Sequence, residues 1–170
     1  VYEGSETAII AITGVSGGSA VEDGTQSQTI TITDSLAAPT ATLTASASTV
    51  SEKASDLTLT ATLNRSTYET VTVTLSTSGT STDGTDYASL SSITISAGST
   101  TGTTNFNPTS DTFFENSETA IIAISTVSGG GATESGTQSV TIAITDKALD
   151  SGTQATYNSS SATTYKNSTE

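Results

Sequence analysis

The carboxylates are the side chains of this sequence that are best suited to chemistry. Asp111, Glu115 and Glu118 follow one another at spacings of four and three residues, directly before an isoleucine-rich run. Other acidic residues stand at the ends of apolar runs or in the turns between them; these are Glu52, Asp86 and Asp146. Like charges within a few ångströms repel and raise one another's pKa, so a site that gathers these residues needs positive charge.

The sequence itself supplies little positive charge. It has 17 Asp and Glu residues against four Lys and Arg, which gives a formal net charge of −13 over 170 residues. Ca²⁺ is the natural counter-charge, because it accepts about six to eight oxygens in flexible geometry. Mg²⁺ demands a tighter octahedron, and Zn²⁺ prefers nitrogen or sulfur ligands. The carboxylates therefore predict a calcium site.

The composition argues against several other functions. The chain has no Cys and no His, so thiolate chemistry and the usual general base are missing. Glu115 and Glu118 are too close in sequence to flank a glycosidic bond as an acid–base pair. The acidic balance disfavours binding to nucleic acid, and no apolar run approaches the ~20 residues that cross a bilayer. We expect no enzymatic activity, no nucleic-acid partner and no membrane span.

A pattern of apolar residues at every second position, alternating mostly with Thr, dominates the sequence between the acidic positions. It occurs in the runs 57–63, 71–75, 93–95, 120–124 and 140–144. In the last two runs some intervening residues, such as Ile121 and Ala123, are apolar as well. A period of two places the apolar residues on one face of a strand, and turn clusters rich in Ser and Gly separate the runs. The pattern predicts an all-β fold with about seven short antiparallel strands in two packed sheets, an immunoglobulin-like β-sandwich.

The sequence also repeats itself. Residues 1–34 return as residues 113–146, an offset of 112 residues, with 24 of the 34 aligned positions identical. A period of this length corresponds to a whole domain rather than to one turn of a solenoid. The repeat predicts tandem modules: the C-terminal part of one module over residues 1–35, a complete module over 36–146, and a polar linker or tail over 147–170.

Four motifs in a fixed order resemble the Calx-beta domain. They are Ser51-Glu52, Asp83-Gly-Thr-Asp-Tyr87, Asp111-Thr-Phe-Phe-Glu-Asn-Ser-Glu118 and Ile142-Ala-Ile-Thr-Asp146. The resemblance covers the complete module and the partial one before it. It implies a sandwich of the Calx-beta type and Ca²⁺ ligation by Glu52, Asp86, Asp111, Glu115, Glu118 and Asp146. In the partial module it implies the same role for Glu3, Glu6 and Asp34.

Two departures from the family pattern reduce the number of expected ligands. Ser110 precedes Asp111 where the family often has a second aspartate, and Lys147 follows Asp146 where the family has further acids. We therefore expect one or two ions with a Kd on the order of 10⁻⁴–10⁻³ M, as in extracellular calcium modules. The competing interpretation is that these carboxylates only solubilise the surface. That interpretation is favoured for Asp56, Glu69, Glu134 and Asp150.

Two functional hypotheses follow from the sequence. The first is a structural segment of a secreted or cell-surface repetitive protein, such as a bacterial adhesin or a biofilm matrix fibre. Its partners would be neighbouring modules of the same chain or identical chains, and Ca²⁺ at the module ends would rigidify the array. The second is a subunit of a strand-exchanged filament or virion fibre, in which a neighbouring chain completes the partial module by pairing with the strand from Glu6 to Thr13. An adhesive tip is less well supported, because Trp is absent and Tyr is scarce.

Overall fold

A computed structural model describes residues 1–52, 54–111, 113 and 115–146 of the chain. The predicted tail at 147–170 lies outside the described residues. Every regular element within the described ranges is a β-strand, as the sequence predicts. The strands are β1 (Glu6–Ala11), β2 (Ser27–Ile32), β3 (Thr40–Ala45), β4 (Thr49–Ser51), β5 (Leu57–Leu63), β6 (Val71–Gly79), β7 (Ser92–Ile95), β8 (Thr101–Phe106), β9 (Glu118–Ser128), β10 (Thr133–Glu134) and β11 (Ser139–Thr145).

Strands β3 to β11 form a sandwich of two sheets. One sheet has the order β10-β3-β5-β8 and the other has the order β4-β11-β9-β6-β7. The alternation in the sequence produces the core, because the longer strands of the sandwich turn alternate apolar residues inward. In β5, for example, Leu59, Ala61 and Leu63 are buried. The predicted immunoglobulin-like β-sandwich is confirmed.

The sandwich has nine strands within the described part of 36–146, where the alternation predicts about seven. The difference lies mainly in β4 and β10, which are three and two residues long. Both are edge strands that pair in parallel, β4 with β11 and β10 with β3, so the fold is not purely antiparallel. Segments of two or three residues are too short to show the alternation of apolar and polar residues that predicts a strand. In addition, the chain changes sheets between β3 and β4, which alternation along a single strand does not reveal.

Strands β1 and β2 form a separate two-stranded antiparallel sheet. The repeat aligns them with β9 and β11, but their surroundings differ. Ile122 and Ile142 are fully buried in the sandwich, whereas their counterparts Ile10 and Ile30 are 60% and 45% exposed. The face that forms the core of the complete module is thus open in this hairpin.

The strands define two ends of the sandwich. β9 runs antiparallel to β6 and β11, so the start of β9 lies beside the ends of β6 and β11. β4 is parallel to β11 and ends at the same pole. The starts of β3 and β6 and the ends of β5 and β9 lie at the opposite pole. Among the described residues, no helix has the length and apolar character that crossing a bilayer requires.

Candidate metal centre

Six carboxylates occupy the pole where β9 begins, and we call this group the acidic pole. Each of them directly follows a strand, begins one, or lies in a connection between two strands. They are Glu52 after β4, Asp86 between β6 and β7, Asp111 and Glu115 between β8 and β9, Glu118 at the start of β9, and Asp146 after β11. The strand directions therefore carry residues that are up to 94 positions apart in sequence to one end of the sandwich.

Three of these side chains approach one another closely. Carboxylate oxygens of Asp86, Glu115 and Glu118 all lie within 4.8 Å of one another, and the three residues are half-buried. Burial first, and then a hydrogen bond with Asp86 and its negative charge, raise the pKa of Glu118. The pKa of Glu115 is raised by burial and by the charges of Asp111, Asp86 and Asp146. Ionising these carboxylates therefore costs free energy, both through desolvation and through their mutual repulsion.

Glu52 is the most buried member of the acidic pole, with 8% of its surface exposed. Burial is the largest cause of its raised pKa, and the charges of four other members of the pole add to it. Those members, in decreasing order of effect, are Asp146, Asp111, Glu115 and Asp86. Glu52 thus lies within the electrostatic field of the others, although it comes from a different strand and a different part of the sequence.

Backbone hydrogen bonds hold the remaining loops in place. Asp146 accepts a hydrogen bond through Oδ2 from the Glu115 amide at 3.0 Å, and Asp111 accepts one through Oδ1 from the Phe113 amide at 2.7 Å. The Thr82 amide donates to Asp86 Oδ2 and closes the loop after β6. In each of these hydrogen bonds one oxygen of the carboxylate is the acceptor.

The donor set fits a hard divalent cation. All six side chains offer carboxylate oxygens, which Ca²⁺ prefers, and none offers the nitrogen or sulfur that Zn²⁺ prefers. Arg65 is the only basic residue in the described part of the chain, and it follows β5 at the opposite pole. Lys53 and Lys147, which adjoin Glu52 and Asp146 in sequence, lie outside the described residues.

The β1–β2 hairpin repeats part of this arrangement. The Glu3 amide donates to Asp34 Oδ2 at 2.7 Å, which reproduces the bond between the corresponding residues Glu115 and Asp146. Asp34 also accepts from the Leu36 amide at 2.9 Å, and these backbone hydrogen bonds lower its pKa. Glu3, Glu6 and Asp34 line one groove at the end of the β1–β2 hairpin. The structure therefore brings these three predicted ligands together as well.

Some residues that shape the site were not found from the sequence. A Cβ at Gly79 would overlap the Thr119 carbonyl oxygen, so only glycine lets the end of β6 approach the start of β9 beside Glu118. Asp83 belongs to the loop motif, but it accepts a hydrogen bond from Thr77 Oγ1 at 3.1 Å and supports the loop that carries Asp86. The glycine in Ser78-Gly-Thr was the available signal, although it indicates a turn equally well.

Glu69, which the sequence assigns to the solvated surface, has a structural role. Glu69 is exposed, but its carboxylate accepts hydrogen bonds from the Gly130 amide at 3.0 Å and the Tyr68 hydroxyl at 2.9 Å. These two bonds lower the pKa of Glu69. Glu69 therefore ties the connection after β5 to the glycine turn after β9, at the pole opposite the acidic one.

Comparisons with known proteins show which fold the chain has. No protein-family model matches the sequence, and no curated protein matches it significantly. A solved structure of the apo form of the Calx CBD1 domain superimposes with a TM-score of 0.53 at 19% identity, covering 64% of this chain and 98% of that domain. Structures of CBD12 from CALX1.2 and of the calcium-binding domain CBD12 of CALX1.1 give a TM-score of 0.50 at 20% and 21% identity. The alignment covers 58% of this chain and 41% of each of these longer chains. The chain has the fold of the Calx-beta domains, as the motifs predict.

Proposed function

We propose that the acidic pole binds one or two Ca²⁺ ions and that the chain is a structural repeat segment of a secreted or cell-surface protein. The observation that carries this proposal is the approach of the Asp86, Glu115 and Glu118 carboxylate oxygens to within 4.8 Å of one another. The fold shared with the calcium-binding domain CBD12 of CALX1.1 supports the same cation.

The residues of the acidic pole would have different roles in holding the ion. Asp86, Glu115 and Glu118 offer the central oxygens, since they are the closest group. Asp111 and Asp146 are held by the backbone of the loop between β8 and β9, so they can add oxygens from fixed positions. Glu52 contributes negative charge from a buried position. Bound Ca²⁺ supplies the positive charge that offsets their mutual repulsion.

The location of the first module's acidic groove supports a role in a tandem array. The groove of Glu3, Glu6 and Asp34 adjoins the link at residues 35–39 that leads to the next sandwich. The charges of Glu6 and Glu3 contribute to the raised pKa of Tyr68 in that sandwich, after the larger effect of Glu69. An ion in this groove would therefore neutralise carboxylates at a module junction. An array of this kind is suited to an adhesin or matrix fibre in calcium-containing extracellular fluid.

Calcium titration of the whole chain tests the binding proposal. We expect isothermal titration calorimetry to give a Kd on the order of 10⁻⁴–10⁻³ M. Asp86→Asn removes a charge from the central group and should weaken binding about tenfold or more. Asp23→Asn is the matched control, because Asp23 is exposed in the loop between β1 and β2 and belongs to neither acidic group. Equal calcium binding by the parent chain and Asp86→Asn would contradict the proposed site.

The open face of the β1–β2 hairpin favours a second candidate, a strand-exchanged assembly. Ile10, Ile12, Ile30 and Ile32 are 45–60% exposed there, while their counterparts in β9 and β11 are buried. The strands of a second copy are the occupant that this hypothesis requires. Analytical ultracentrifugation in EDTA distinguishes the two: a dimer or larger species that Ile10→Asp dissociates supports strand exchange, and a monomer at all concentrations rejects it.

A further inference from the structure

A contact at the pole opposite the acidic one is not explained by calcium binding. The backbone of Tyr2, which lies before β1, pairs in parallel with Thr67 in the connection between β5 and β6. The Tyr2 amide donates to the Ser66 carbonyl at 3.1 Å, and the Tyr68 amide donates to the Tyr2 carbonyl at 3.3 Å. The first module is thus joined to the next one by a β-bridge and not only by the covalent link.

The receiving surface is built independently of Tyr2. Thr67 is 1% exposed, its hydroxyl donates to the Glu69 carbonyl, and its own carbonyl accepts from the Gly98 amide at 2.8 Å. The Glu69 carboxylate fixes the Gly130 amide. The connection after β5 and the turn after β9 are therefore tied to one another by bonds that do not involve the first module.

Two glycines in that turn make room for the contact. A Cβ at Gly130 would lie 2.7 Å from the Thr67 Cβ, and a Cβ at Gly131 would lie 2.8 Å from Cε1 of the Tyr2 ring. Gly130 thus permits the close approach of Thr67, and Gly131 permits the approach of the aromatic ring. We call residues 66–68 and 130–131 together the aromatic seat.

We propose that the aromatic seat is the receptor of a specific joint between modules, and that its partner is the aromatic residue directly before the first acidic residue of the neighbouring repeat copy. Tyr2 precedes Glu3, which aligns with Glu115, and the sequence has Phe114 at the repeat position of Tyr2. The bridge uses backbone atoms, and the ring needs only the space over Gly131, so both Tyr and Phe satisfy it. The joint would hold the acidic groove of one module against the next.

The joint does not rest on the proposed calcium site. Its contacts are backbone hydrogen bonds and ring packing, and none of them uses a carboxylate of either acidic group. We therefore expect the joint to persist in EDTA, so that loss of calcium binding and loss of the joint are separate experimental outcomes.

Hydrogen exchange of single amides in the full chain, measured by NMR in EDTA, tests the joint. The Tyr68 amide reports the bridge, and the Gly98 amide reports whether the seat itself is folded. We expect Tyr2→Ala to speed exchange of the Tyr68 amide about tenfold or more while the Gly98 amide is unchanged, and Tyr2→Phe to keep the parent rate. If the Tyr68 amide of the parent exchanges as in an unstructured peptide, or is unaffected by Tyr2→Ala, the proposal is overturned.

A second pair of variants and a distance measurement guard against indirect effects. Gly131→Ala should open the joint, whereas Gly136→Ala has the same positive φ but an open Cβ position, so it controls for backbone strain.

The chain has no Cys, so Thr29→Cys and Thr103→Cys allow clean spin labelling of the hairpin and the sandwich. We expect a narrow distance distribution in the parent and in Gly136→Ala, and a broad one in Tyr2→Ala and Gly131→Ala. A broad distribution in the parent would overturn the joint.

Discussion

Glu118 shows how the acidic pole is held together at the level of single residues. It begins β9, it is half-buried, and burial, the hydrogen bond with Asp86 and the nearby negative charges all act to raise its pKa. Glu52 and Glu115 are affected in the same direction by burial and by like charges. The folded chain therefore disfavours the ionised state of these side chains, and a bound cation would reverse that preference.

A pH dependence follows from these raised pKa values. Without calcium, stability should fall as pH rises from the ordinary glutamate pKa of 4.5 through the raised values, because over that window the folded chain retains protons that the unfolded chain has released. Below the window the glutamates are protonated in both states and the penalty is absent. Glu118→Gln keeps the side chain neutral, so we expect a higher Tm than the parent near neutral pH in EDTA and little difference near pH 4.

Thermal unfolding followed by circular dichroism from acidic to neutral pH measures this effect. Glu22→Gln is the matched control, since Glu22 lies in the loop between β1 and β2, and Gln can still accept the hydrogen bond from the Gln26 amide. The control should follow the parent curve. A lower Tm for Glu118→Gln near neutral pH in EDTA would mean that the Glu118 carboxylate stabilises the fold, contrary to the prediction.

At the level of elements, the sequence predicts what local alternation encodes. Strands such as β5 and β11 were predictable because their apolar residues alternate with Thr, and the repeat predicts that β1–β2 matches β9–β11. The short strand β4 and the bridge at Tyr2 were not predictable, because both depend on backbone pairing between residues far apart in sequence. For the site, the motif order predicts a shared pole, but the approach of Asp86 to Glu118 depends on the loop that the Thr82 amide closes.

The pairing of the end of β6 with the start of β9 gives a prediction at this scale. Gly79 has a φ of +119°, and a Cβ there would overlap the Thr119 carbonyl oxygen. Gly79→Ala should therefore destabilise the sandwich by about 2–4 kcal/mol through backbone strain and displacement of β9. Gly98→Ala, with a φ of +79° and an open Cβ position, should cost less, since it suffers the strain without the overlap.

Urea unfolding of the two glycine variants and the parent chain provides the comparison. The displacement should also reach the start of β9, so Gly79→Ala is expected to weaken calcium binding, while Gly98→Ala, which lies at the opposite pole, leaves it unchanged. Equal unfolding free energies for the two variants would show that the approach of β6 to β9 does not depend on the glycine.

At the scale of the whole molecule, the two poles of the sandwich have different properties. The acidic pole gathers six carboxylates, and the opposite pole receives Tyr2 of the preceding module through the aromatic seat. Because Tyr2 directly precedes Glu3, the groove of Glu3, Glu6 and Asp34 lies next to the aromatic seat. In a tandem array the acidic end of each module would therefore meet the seat of the following module, and charge at each junction would influence its geometry.

Calcium should accordingly change both the stability and the shape of the chain. At ten times the Kd, each site would stabilise the folded state by about 1–2 kcal/mol, which corresponds to a rise in Tm on the order of 5 °C. We also expect small-angle scattering to give a larger maximum dimension in calcium than in EDTA, because neutralising Glu3, Glu6 and Asp34 changes the angle of the hairpin about the Tyr2 joint, which stays closed in both conditions. Glu6→Gln separates the two effects: it should abolish the change in dimension and keep the rise in Tm that the acidic pole produces. Identical scattering and melting curves for the parent in calcium and in EDTA would contradict the proposal of an ion-rigidified array.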